Sequence, residues 1–568
     1  MGLILGMDTG GTFTDAVLLD QDTREVIKKA KAPTTKYDLC VGIRECIGNL
    51  SYERMEDIKL VCLSTTLATN SIVEGKGCRV GLVITGKLPF GAGTLPEAEI
   101  VMAGGALDIR GRLQRDLDED EARKNIAALK GKVDAVAISG YACVRNPEHE
   151  IAVRRIVREE LDVPVVCAHE LTCELGYYER TVTVVLNARL IPLIKTLMDD
   201  TQICLAERGV RAPMMMVKGD GSYMDSGYAE ERPVETILSG PAASIKGAMF
   251  LSGLDDGTII DVGGTTSDIA ALRSGKVEIS MEGAQVGGWK TRVKAIDVYT
   301  CGVGGDSRIT LREDGSVKVG PDKVIPVSYA SSRGITGSID RGNMTAQEQK
   351  YRKMFGLSDI SNDIGFTPTD MAHLIGIYDA WDREAAGAAL KKMAESAGKS
   401  EEEMLSCLVE AFRKAVNGAL ADSDKLEEGV PVVALGAPAE AWMPIVMKDS
   451  PNPLVVPKHS EVANAVGAAI GEIEEVVEVL IRFDDMSKRY VSYSKWKRGE
   501  FEDLEEAKRV CLAEAEDYAR KEAEKCGCDD PEIFSEINDE YCDSYDGKNS
   551  IFVETAINVI AVGPPRFI

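Results

Sequence analysis

The first thirty residues alternate short apolar runs with polar turns, a pattern typical of a β meander. Apolar runs at Leu3–Met7 and Ala16–Leu19 flank a turn rich in glycine and threonine, and a polar turn precedes a third run near Val26. Bounded apolar runs of about 4–8 residues predict buried strands. The chain is therefore predicted to begin as strand, turn, strand, turn, strand.

The same order of elements returns in the middle of the chain. Ile259–Val262 and Ile269–Leu272 flank a second Gly/Thr turn, which the turn RSGK and another apolar run follow. The turns DTGGTFTD (8–15) and DVGGTTSD (261–268) share Asp, Gly, Gly, Thr and the final Asp in register. One repeat at so long a period indicates duplicated halves of a fold rather than a solenoid. We expect two related lobes that face a cleft.

Elsewhere the pattern alternates between strand and helix, which favours an α/β fold. Strands are predicted at 79–85, 133–140 and 430–438. Helices are predicted from residue 148 onward, over about 178–198, and from SGPAAS onward with Ser239 as a possible cap. Residues 331–363 are rich in Gly, Ser, Asn and Asp and predict a long loop or insertion. The predicted domains are residues 1–200, 201–475 and a small α/β unit at 476–568.

Charge and cysteine usage narrow the possible partners and location. The 66 basic and 92 acidic residues give a net charge of −26, which opposes binding to nucleic acid or to an anionic membrane surface. Fourteen cysteines without a CxxC pair, and no signal peptide or apolar run of membrane length, predict reduced thiols in the cytoplasm. The four histidines form no spaced cluster, so neither a zinc or iron site nor a Ser-His-Asp triad is expected.

The two turns contain the groups that a polyphosphate requires. Glycines let the backbone approach phosphate oxygens closely, and threonine hydroxyls donate hydrogen bonds. An aspartate at such a site repels phosphate unless a cation lies between them, so Asp8 and Asp261 predict a Mg²⁺ ion that they hold through water. The predicted phosphate-binding residues are Thr9, Gly10, Gly11, Thr12, Thr14, Gly263, Gly264, Thr265 and Thr266.

Several roles remain open for the last aspartate of each turn. Asp15 and Asp268 either repeat the role in metal binding, orient a nucleophile, or cap the turn through bonds to the backbone. A single turn of this kind is also compatible with an ordinary glycine-rich hairpin, an alternative that the second copy in register weakens. Neither a Walker P-loop nor a Rossmann fingerprint is present, so the cradle is of another type.

Paired phosphate hairpins on duplicated lobes resemble the actin-like ATPase superfamily, which includes sugar kinases and heat-shock chaperones. The resemblance implies an α/β fold of two ribonuclease H-like lobes around a nucleotide cleft, with the small C-terminal α/β domain in addition. It also implies that a small-residue helix, here SGPAASIKGA, precedes the second hairpin. The residues assigned to adenosine by this resemblance are Gly304, Gly305, Gly436 and Ala437.

Several further stretches resemble the hydantoinase A and 5-oxoprolinase family and the related subunits of acetone-type carboxylases. They are STTLATNSIVEGKG, RNPEHE, YYERTVTVVLNARLIP, LSGPAAS, DVGGTTSDIA and TPTDMAHLIG, and the resemblance covers about residues 3–470. Two positions depart from the family pattern, since Ser64 stands where glycine is usual and Asp306, in CGVGGDSRI, stands where a third glycine is common.

The resemblance implies an ATP- and Mg²⁺-dependent hydrolase subunit that opens a cyclic amide after phosphoryl transfer, working with a hydantoinase B-type partner in a hetero-oligomer. The alternatives are a ketone-activating carboxylase subunit, an actin-like ATPase or chaperone, and a small-molecule kinase. Thr65, Thr66 and Asn70 either line the substrate side of the cleft or cap a helix. Glu179 and Arg180 are substrate candidates through the resemblance alone.

Overall fold

Two sheets built on one plan form the centre of the protein in this computed structural model, which describes residues 2–35, 39–89, 94–280, 282–335, 364–543 and 550–567. In the first sheet three antiparallel strands are followed by two strands parallel to the first of them, and a short edge strand completes the sheet. From edge to edge the strands are Val26–Pro33, Phe13–Asp20, Leu3–Thr9, Ile58–Thr65, Met214–Val217 and Tyr223–Asp225.

The second sheet repeats this order. Its strands from edge to edge are Lys276–Val277, Ser267–Arg273, Gly257–Val262, Val432–Leu435 and Leu454–Val455, with Val298–Cys301 also pairing with Ser267–Arg273. Again three antiparallel strands precede two parallel ones. The predicted duplication and the actin-like, ribonuclease H-like fold class are confirmed. We call Leu3–Asp20 the first hairpin and Gly257–Arg273 the second hairpin.

Two helices join the lobes by an unusually close crossing. The helix Ser239–Ser252 packs against the short helix Ala463–Ala468, which also contacts the first hairpin. A Cβ atom on Gly247 would lie 1.9 Å from the carbonyl oxygen of Ala463, and one on Gly467 would lie 1.7 Å from that of Ala243. Glycine at both positions is therefore required for the backbones to approach.

The start of the helix Ser239–Ser252 differs from the expectation. Leu238, in a left-handed conformation with φ of 63°, is the N-cap, and no side chain caps the helix. The Ser239 hydroxyl instead donates to the carbonyl oxygen of Thr65 at 2.9 Å. The predicted Ser239 cap is wrong because the hydroxyl fixes this helix to the first lobe.

A four-stranded parallel sheet and a long helix extend the first lobe. The strands are Glu99–Gly104, Val80–Thr85, Ala135–Gly140 and Val165–Cys167, with helices Glu119–Ala127 and Glu148–Glu160. The helix Tyr177–Glu207, longer than predicted, meets the length and composition expected of a membrane span, contrary to the expectation that no stretch would. However, 72% of its most apolar window is buried inside the protein, as in a core helix.

The C-terminal part forms a five-stranded antiparallel sheet covered on one face by a helix. Its strands in order are Arg498–Phe501, Arg489–Tyr493, Ile473–Asp484, Ser550–Gly563 and Glu532–Asp543, and the helix is Leu504–Lys525. Val477, Val479 and Ile481 point toward the helix and are buried in the main core. The sheet and helix correspond to the unit that the sequence places after residue 475.

Shorter elements complete the fold. Within the described ranges, the remaining helices are Leu39–Asn49, Leu67–Val73, Ala168–Leu171, Ser226–Glu231, Val327–Ser332, Pro368–Leu374, Arg383–Ala397, Glu401–Asp422 and Ala439–Val446, with 3₁₀ turns at Met55–Asp57, Pro233–Thr236 and Ser460–Val462. The remaining strand pairs are Ala106–Leu107 with Leu113–Arg115, Gln285–Val286 with Trp289–Lys290, Ser307–Leu311 with Val317–Lys323, and Ile325–Pro326 with Ile364–Gly365. Most of the predicted loop or insertion at 331–363 lies outside the described residues.

Candidate active site

The two hairpin turns have the same backbone geometry. The amide of Gly10 donates to the carbonyl oxygen of Phe13 at 3.0 Å, and the equivalent amide of Gly263 donates to that of Thr266 at 2.9 Å. Asp8 and Asp15 are directly opposite each other across the first hairpin, as are Asp261 and Asp268 across the second. The motif repeated in sequence is thus repeated in structure.

Three side chains from outside the first hairpin hold its acidic groups. Ser64 donates to Asp8 Oδ1 at 2.6 Å, and Asn464 donates to Asp8 Oδ2 at 2.7 Å and to Asp15 Oδ2 at 3.1 Å. Lys31, directly opposite Asp15 on the neighbouring strand, forms an ion pair with Asp15 Oδ1 at 2.5 Å. The Asp15 carboxylate is therefore already paired, whereas Asp8 has only neutral donors among these groups.

The acidic groups of both hairpins share one low-dielectric region. Burial above all, together with the charges of Asp15 and Asp261, raises the pKa of Asp8 to about 7, although the hydrogen bonds from Ser64 and Asn464 act in the opposite direction. The pKa of Asp261 is raised by burial and by Asp15, although a bond from Ser244 and the charge of Lys31 lower it. Asp8 and Asp261 therefore lie within electrostatic reach of each other across the cleft.

Asp268 is in a similar environment on the second hairpin. Burial above all, together with the charge of Asp261, raises its pKa to about 6, while the Thr300 hydroxyl, which donates to Asp268 Oδ1 at 2.6 Å, opposes the shift. Carboxylates that gather in this way without a cation between them repel one another. The all-oxygen donor set of Asp8 and Asp261 fits Mg²⁺, and these two residues would hold it.

The predicted phosphate-binding threonines are not all placed alike. Thr12, Thr265 and Thr266 are partly exposed in the turns, and Thr12 Oγ1 accepts a bond from Lys323 at 2.5 Å. Thr9 is buried and its hydroxyl has no partner in the part of the chain that the structure describes. Thr14 is fully buried and its hydroxyl is bonded to Thr34 at 3.1 Å, so the structure does not bring it to the turn.

The glycines assigned to adenosine pack on the backbone of the second hairpin. The amide of Gly305 donates to the carbonyl oxygen of Gly263 at 3.0 Å, and a Cβ on Gly304 would lie 2.6 Å from that oxygen. Gly436 has φ of +91°, and a Cβ there would lie 2.2 Å from the carbonyl oxygen of Val262. Ala437 is exposed directly after it. These residues form the second-lobe wall beside the turn.

The substrate candidates divide into two groups. The amide of Thr66 donates to the carbonyl oxygen of Thr9 at 3.2 Å, and Asn70 Nδ2 lies 3.6 Å from the position of a Cβ on Gly11, so the 65–70 segment adjoins the first turn. Thr65 is fully buried and its hydroxyl accepts from the amide of Leu67 at 3.1 Å. Thr66 is the N-cap of the helix Leu67–Val73 but makes no side-chain cap bond.

Glu179 and Arg180 lie elsewhere, at the start of the helix Tyr177–Glu207. Arg180 is 1% exposed and donates to the carbonyl oxygens of Glu174 and Tyr141, at 3.2 and 2.7 Å, so its described contacts are internal. Glu179 Oε2 lies beside Gly176, next to Arg292. The structure groups this pair with the four-stranded sheet rather than with the hairpin turns.

A cluster that the sequence gave no reason to expect lies in the same region. Glu150, Cys167 and His169 are buried and offer ligand atoms within 4.8 Å of one another. However, Glu150 already accepts from the amide of Gly140 at 2.7 Å and from the amide and Nδ1 of His169 at 3.0 and 2.6 Å. These bonds satisfy the carboxylate, and we assign the cluster to the architecture of the lobe.

Sequence reasoning missed the residues that hold the motif from outside it: Lys31, Ser64, Ser244, Thr300, Lys323, Thr369 and Asn464. Lys31 could have been found, because a strand that pairs with Phe13–Asp20 must bring a residue opposite Asp15. Asn464 lies 456 positions from Asp8, and no local pattern indicates it.

The fold and the site define an actin-like, two-lobed protein with a duplicated hairpin whose turns are rich in glycine and threonine. Family models match the chain twice, as the hydantoinase/oxoprolinase N-terminal region over residues 4–161 and as hydantoinase/oxoprolinase over residues 180–338. The chain belongs to the hydantoinase/oxoprolinase family, as its motifs indicated.

Characterised relatives agree with this placement. The chain is 31% identical over 350 residues to caprolactamase subunit alpha of Pseudomonas jessenii, covering 56% of this chain and 50% of that protein. It is 28% identical over 362 residues to the acetophenone carboxylase gamma subunit of Aromatoleum aromaticum, covering 56% and 49%. The chain thus spans about half the length of these relatives.

A solved structure extends the shared fold to nearly the whole chain. The crystal structure of the ATP-dependent caprolactamase from Pseudomonas jessenii superposes with a TM-score of 0.70 at 22% identity, covering 98% of this chain and 87% of that one. The C-terminal sheet, which the family models do not reach, is therefore included in the likeness of fold.

Proposed function

We propose that this chain binds Mg-ATP between the two hairpins and transfers the terminal phosphoryl group to the carbonyl oxygen of a cyclic amide. The observation that carries the proposal is the pair Asp8 and Asp261, equivalent residues of duplicated hairpins whose charges act on each other across the cleft. Such a pair is costly to bury without a cation, and a hydrated Mg²⁺ between them would neutralise it.

Each part of the site has a role in such a transfer. The backbone amides and exposed hydroxyls of the turns would hold the phosphates, and Lys31 keeps Asp15 paired and in place. Mg²⁺ would neutralise charge on the phosphates. The amide oxygen attacks the terminal phosphorus as the bond to the ADP oxygen breaks, and the ring carbon then becomes open to attack by water. Positioning and charge neutralisation of this kind are the main requirements that phosphoryl transfer places on a protein.

The choice of a cyclic amide and of a partner rests on the relatives. The relative with 31% identity is named as a caprolactamase subunit, and caprolactam is a cyclic amide. Both relatives described above are named as subunits, and this chain spans about half their length. We therefore propose a hetero-oligomer with a hydantoinase B-type subunit. The abundance of free thiols, fourteen in all, supports a cytoplasmic location.

A ketone is the second candidate for the phosphoryl acceptor. It is favoured by the 28% identity to the acetophenone carboxylase gamma subunit over a segment of similar length. A ketone enolate would accept the phosphoryl group at the same kind of oxygen, so the hairpins serve either chemistry. Bicarbonate-dependent turnover distinguishes the two.

The test is an ATPase assay of the purified chain, with and without the candidate partner subunit, across lactams, hydantoins, 5-oxoproline and ketones. We expect stimulation by a cyclic amide, and a loss of about 100-fold or more for Asp8→Asn. Asp22→Asn, at the exposed turn that follows the same hairpin, is the matched control and should keep full activity. Unchanged Mg-ATP affinity and turnover in Asp8→Asn would overturn the proposal, and stimulation by a protein alone would favour a chaperone.

A further inference from the structure

Two cysteines from distant parts of the chain meet between two helices of the first lobe. Cys40 is the second residue of the helix Leu39–Asn49, and Cys204 lies in the last turn of the helix Tyr177–Glu207. The Cys204 thiol donates to Cys40 Sγ at 3.1 Å, although the two residues are 164 positions apart. Cys204 is fully buried and Cys40 is partly exposed. The two sulfur atoms are therefore in direct contact.

The helices that carry these cysteines are held in register by other contacts. Arg44, one helical turn after Cys40, pairs with Glu207 at 3.0 Å. A Cβ on Gly48, one turn further, would lie 3.0 Å from the guanidinium of Arg208. Positions four apart lie on one face of a helix. That face packs along the end of the second helix, so the contact between the sulfurs is part of a continuous helix interface.

Arg44 also bears on the chemistry of the two sulfurs. Its hydrogen bond to Glu207 above all, together with the charges of Cys204, Glu207 and Cys40, raises the pKa of Arg44. The guanidinium is thus within electrostatic reach of both sulfurs, and a positive charge beside a thiol favours the reactive thiolate. Cys46, on the same helix as Cys40, is in a different environment, because burial above all raises its pKa to about 12. Cys46 should therefore remain a thiol under conditions in which the pair reacts.

A disulfide requires only a small movement from this arrangement. The bonded sulfurs of a disulfide are about 2 Å apart, so each sulfur would move by about 0.5 Å. We propose that Cys40 and Cys204 form a reversible disulfide when the chain meets a low-molecular-weight disulfide such as oxidised glutathione. The bond would tie the helix Leu39–Asn49, whose Cys46 donates to the carbonyl oxygen of Thr14 in the first hairpin at 3.2 Å, to a core helix of the lobe. This inference is independent of the proposed function.

The oxidation proceeds by two successive thiol–disulfide exchanges. The Cys40 thiolate attacks one sulfur of oxidised glutathione, and a bond to Cys40 forms as the glutathione disulfide breaks and releases one glutathione thiolate. Cys204 then gives up its proton and attacks Cys40 Sγ, which releases the second glutathione. The two cysteines lose two electrons and two protons, and oxidised glutathione takes them up to give two thiols. Dithiothreitol reverses the reaction.

The test is non-reducing peptide mapping by mass spectrometry of the folded full chain, after treatment with oxidised glutathione and alkylation of the remaining thiols. Trypsin releases Cys40 and Cys204 on separate peptides, each without another cysteine. We expect these two peptides to be joined by a disulfide in most of the protein and to be separated by dithiothreitol. The melting temperature should rise by about 2–5 °C on oxidation, because the bond closes a long loop in the unfolded chain.

Two variants separate the proposed bond from general oxidation of thiols. In Cys204→Ala the second exchange is blocked, so Cys40 should accumulate as a mixed disulfide with glutathione and oxidation should not raise the melting temperature. Cys407→Ser, at a partly exposed cysteine whose Sγ accepts from Lys399, is the matched control and should form the disulfide as the wild type does. The inference is overturned if the wild type keeps both thiols, if Cys40 and Cys204 carry separate glutathiones, or if the disulfide fails to raise the melting temperature.

Discussion

At the scale of single residues, the site places Asp8, Asp261 and Asp268 where burial makes their carboxylates costly to ionise. Asp268 is an example, because burial and the charge of Asp261 raise its pKa from an ordinary value of 3.8 to about 6. Between these two pH values the folded chain binds more protons than the unfolded chain, so the free energy of unfolding falls as pH rises. Above about pH 6 this destabilisation is complete.

Replacing Asp268 with asparagine should therefore stabilise the protein in a pH-dependent way. We expect a gain of about 1–2 kcal/mol in the free energy of unfolding at pH 7.5. Because the Asp268 carboxylate is partly exposed, this gain is smaller than the whole change in its pKa would give. The gain should vanish near pH 4. Urea unfolding at both pH values measures it.

The matched control for Asp268→Asn is Asp314→Asn. Bonds from Ser316 lower the pKa of the exposed Asp314 carboxyl, so its removal should give no gain at any pH. The turnover of Asp268→Asn also bears on the role of this residue, since a purely structural Asp268 leaves ATPase activity intact. An equal stability of Asp268→Asn and wild type at pH 7.5 would contradict the assigned environment.

At the scale of elements, glycines determine how the lobes are joined. The crossing of Ser239–Ser252 with Ala463–Ala468 brings Gly247 so near Ala463 that no Cβ fits, at 1.9 Å from its carbonyl oxygen. Because the contact is with backbone rather than with a flexible side chain, neither helix can yield locally. The two helices must separate, and with them the elements that hold both hairpins.

Gly247→Ala should accordingly destabilise the protein by about 3 kcal/mol or more, in the range of severe overpacking. The control is Gly418→Ala in the helix Glu401–Asp422, where a Cβ would meet nothing within 4 Å. There alanine should stabilise by about 0.5–1 kcal/mol, because glycine is a poor helix former. Thermal unfolding measures both variants. A loss of stability in Gly247→Ala with a gain in Gly418→Ala would support the crossing, whereas a small loss in Gly247→Ala would contradict it.

The same elements show what sequence could and could not predict. The hairpins were predictable because strand, turn and motif are local and the second copy keeps the register of the first. The Ser239 cap was wrong because a tertiary bond to Thr65 took the hydroxyl. Asn464 and Lys323 could not be predicted, because they meet the first hairpin only through the packing of distant segments. The repeated motif of the turns could be predicted from the sequence, whereas the residues that hold it in place could not.

At the scale of the whole molecule, the C-terminal sheet is attached to the first lobe by buried ion pairs. Lys218, which follows the strand Met214–Val217, donates to Glu475 Oε1 at 2.8 Å, and Arg232 pairs with Glu522 at 3.2 Å. Burial raises the pKa of Glu475, but the charge and hydrogen bond of Lys218 lower it to about 2. The stabilisation from this carboxylate is therefore present above about pH 4.5 and is lost as pH falls toward 2.

Removing one partner of such a pair leaves the other charge buried. Glu475→Ala should lower the free energy of unfolding by about 3–5 kcal/mol at neutral pH, because the side chain of Lys218 is only 7% exposed. Asp529→Ala, which breaks the exposed pair with Arg566, should cost less than about 1 kcal/mol.

Urea unfolding compares the stabilities of the two variants, and limited proteolysis shows whether residues after 473 are cleaved first in Glu475→Ala. Because the strand Ile473–Asp484 begins at this contact, loss of the pair should loosen the C-terminal sheet before the hairpins. Equal stabilities of the two variants would instead mean that apolar packing alone attaches the sheet.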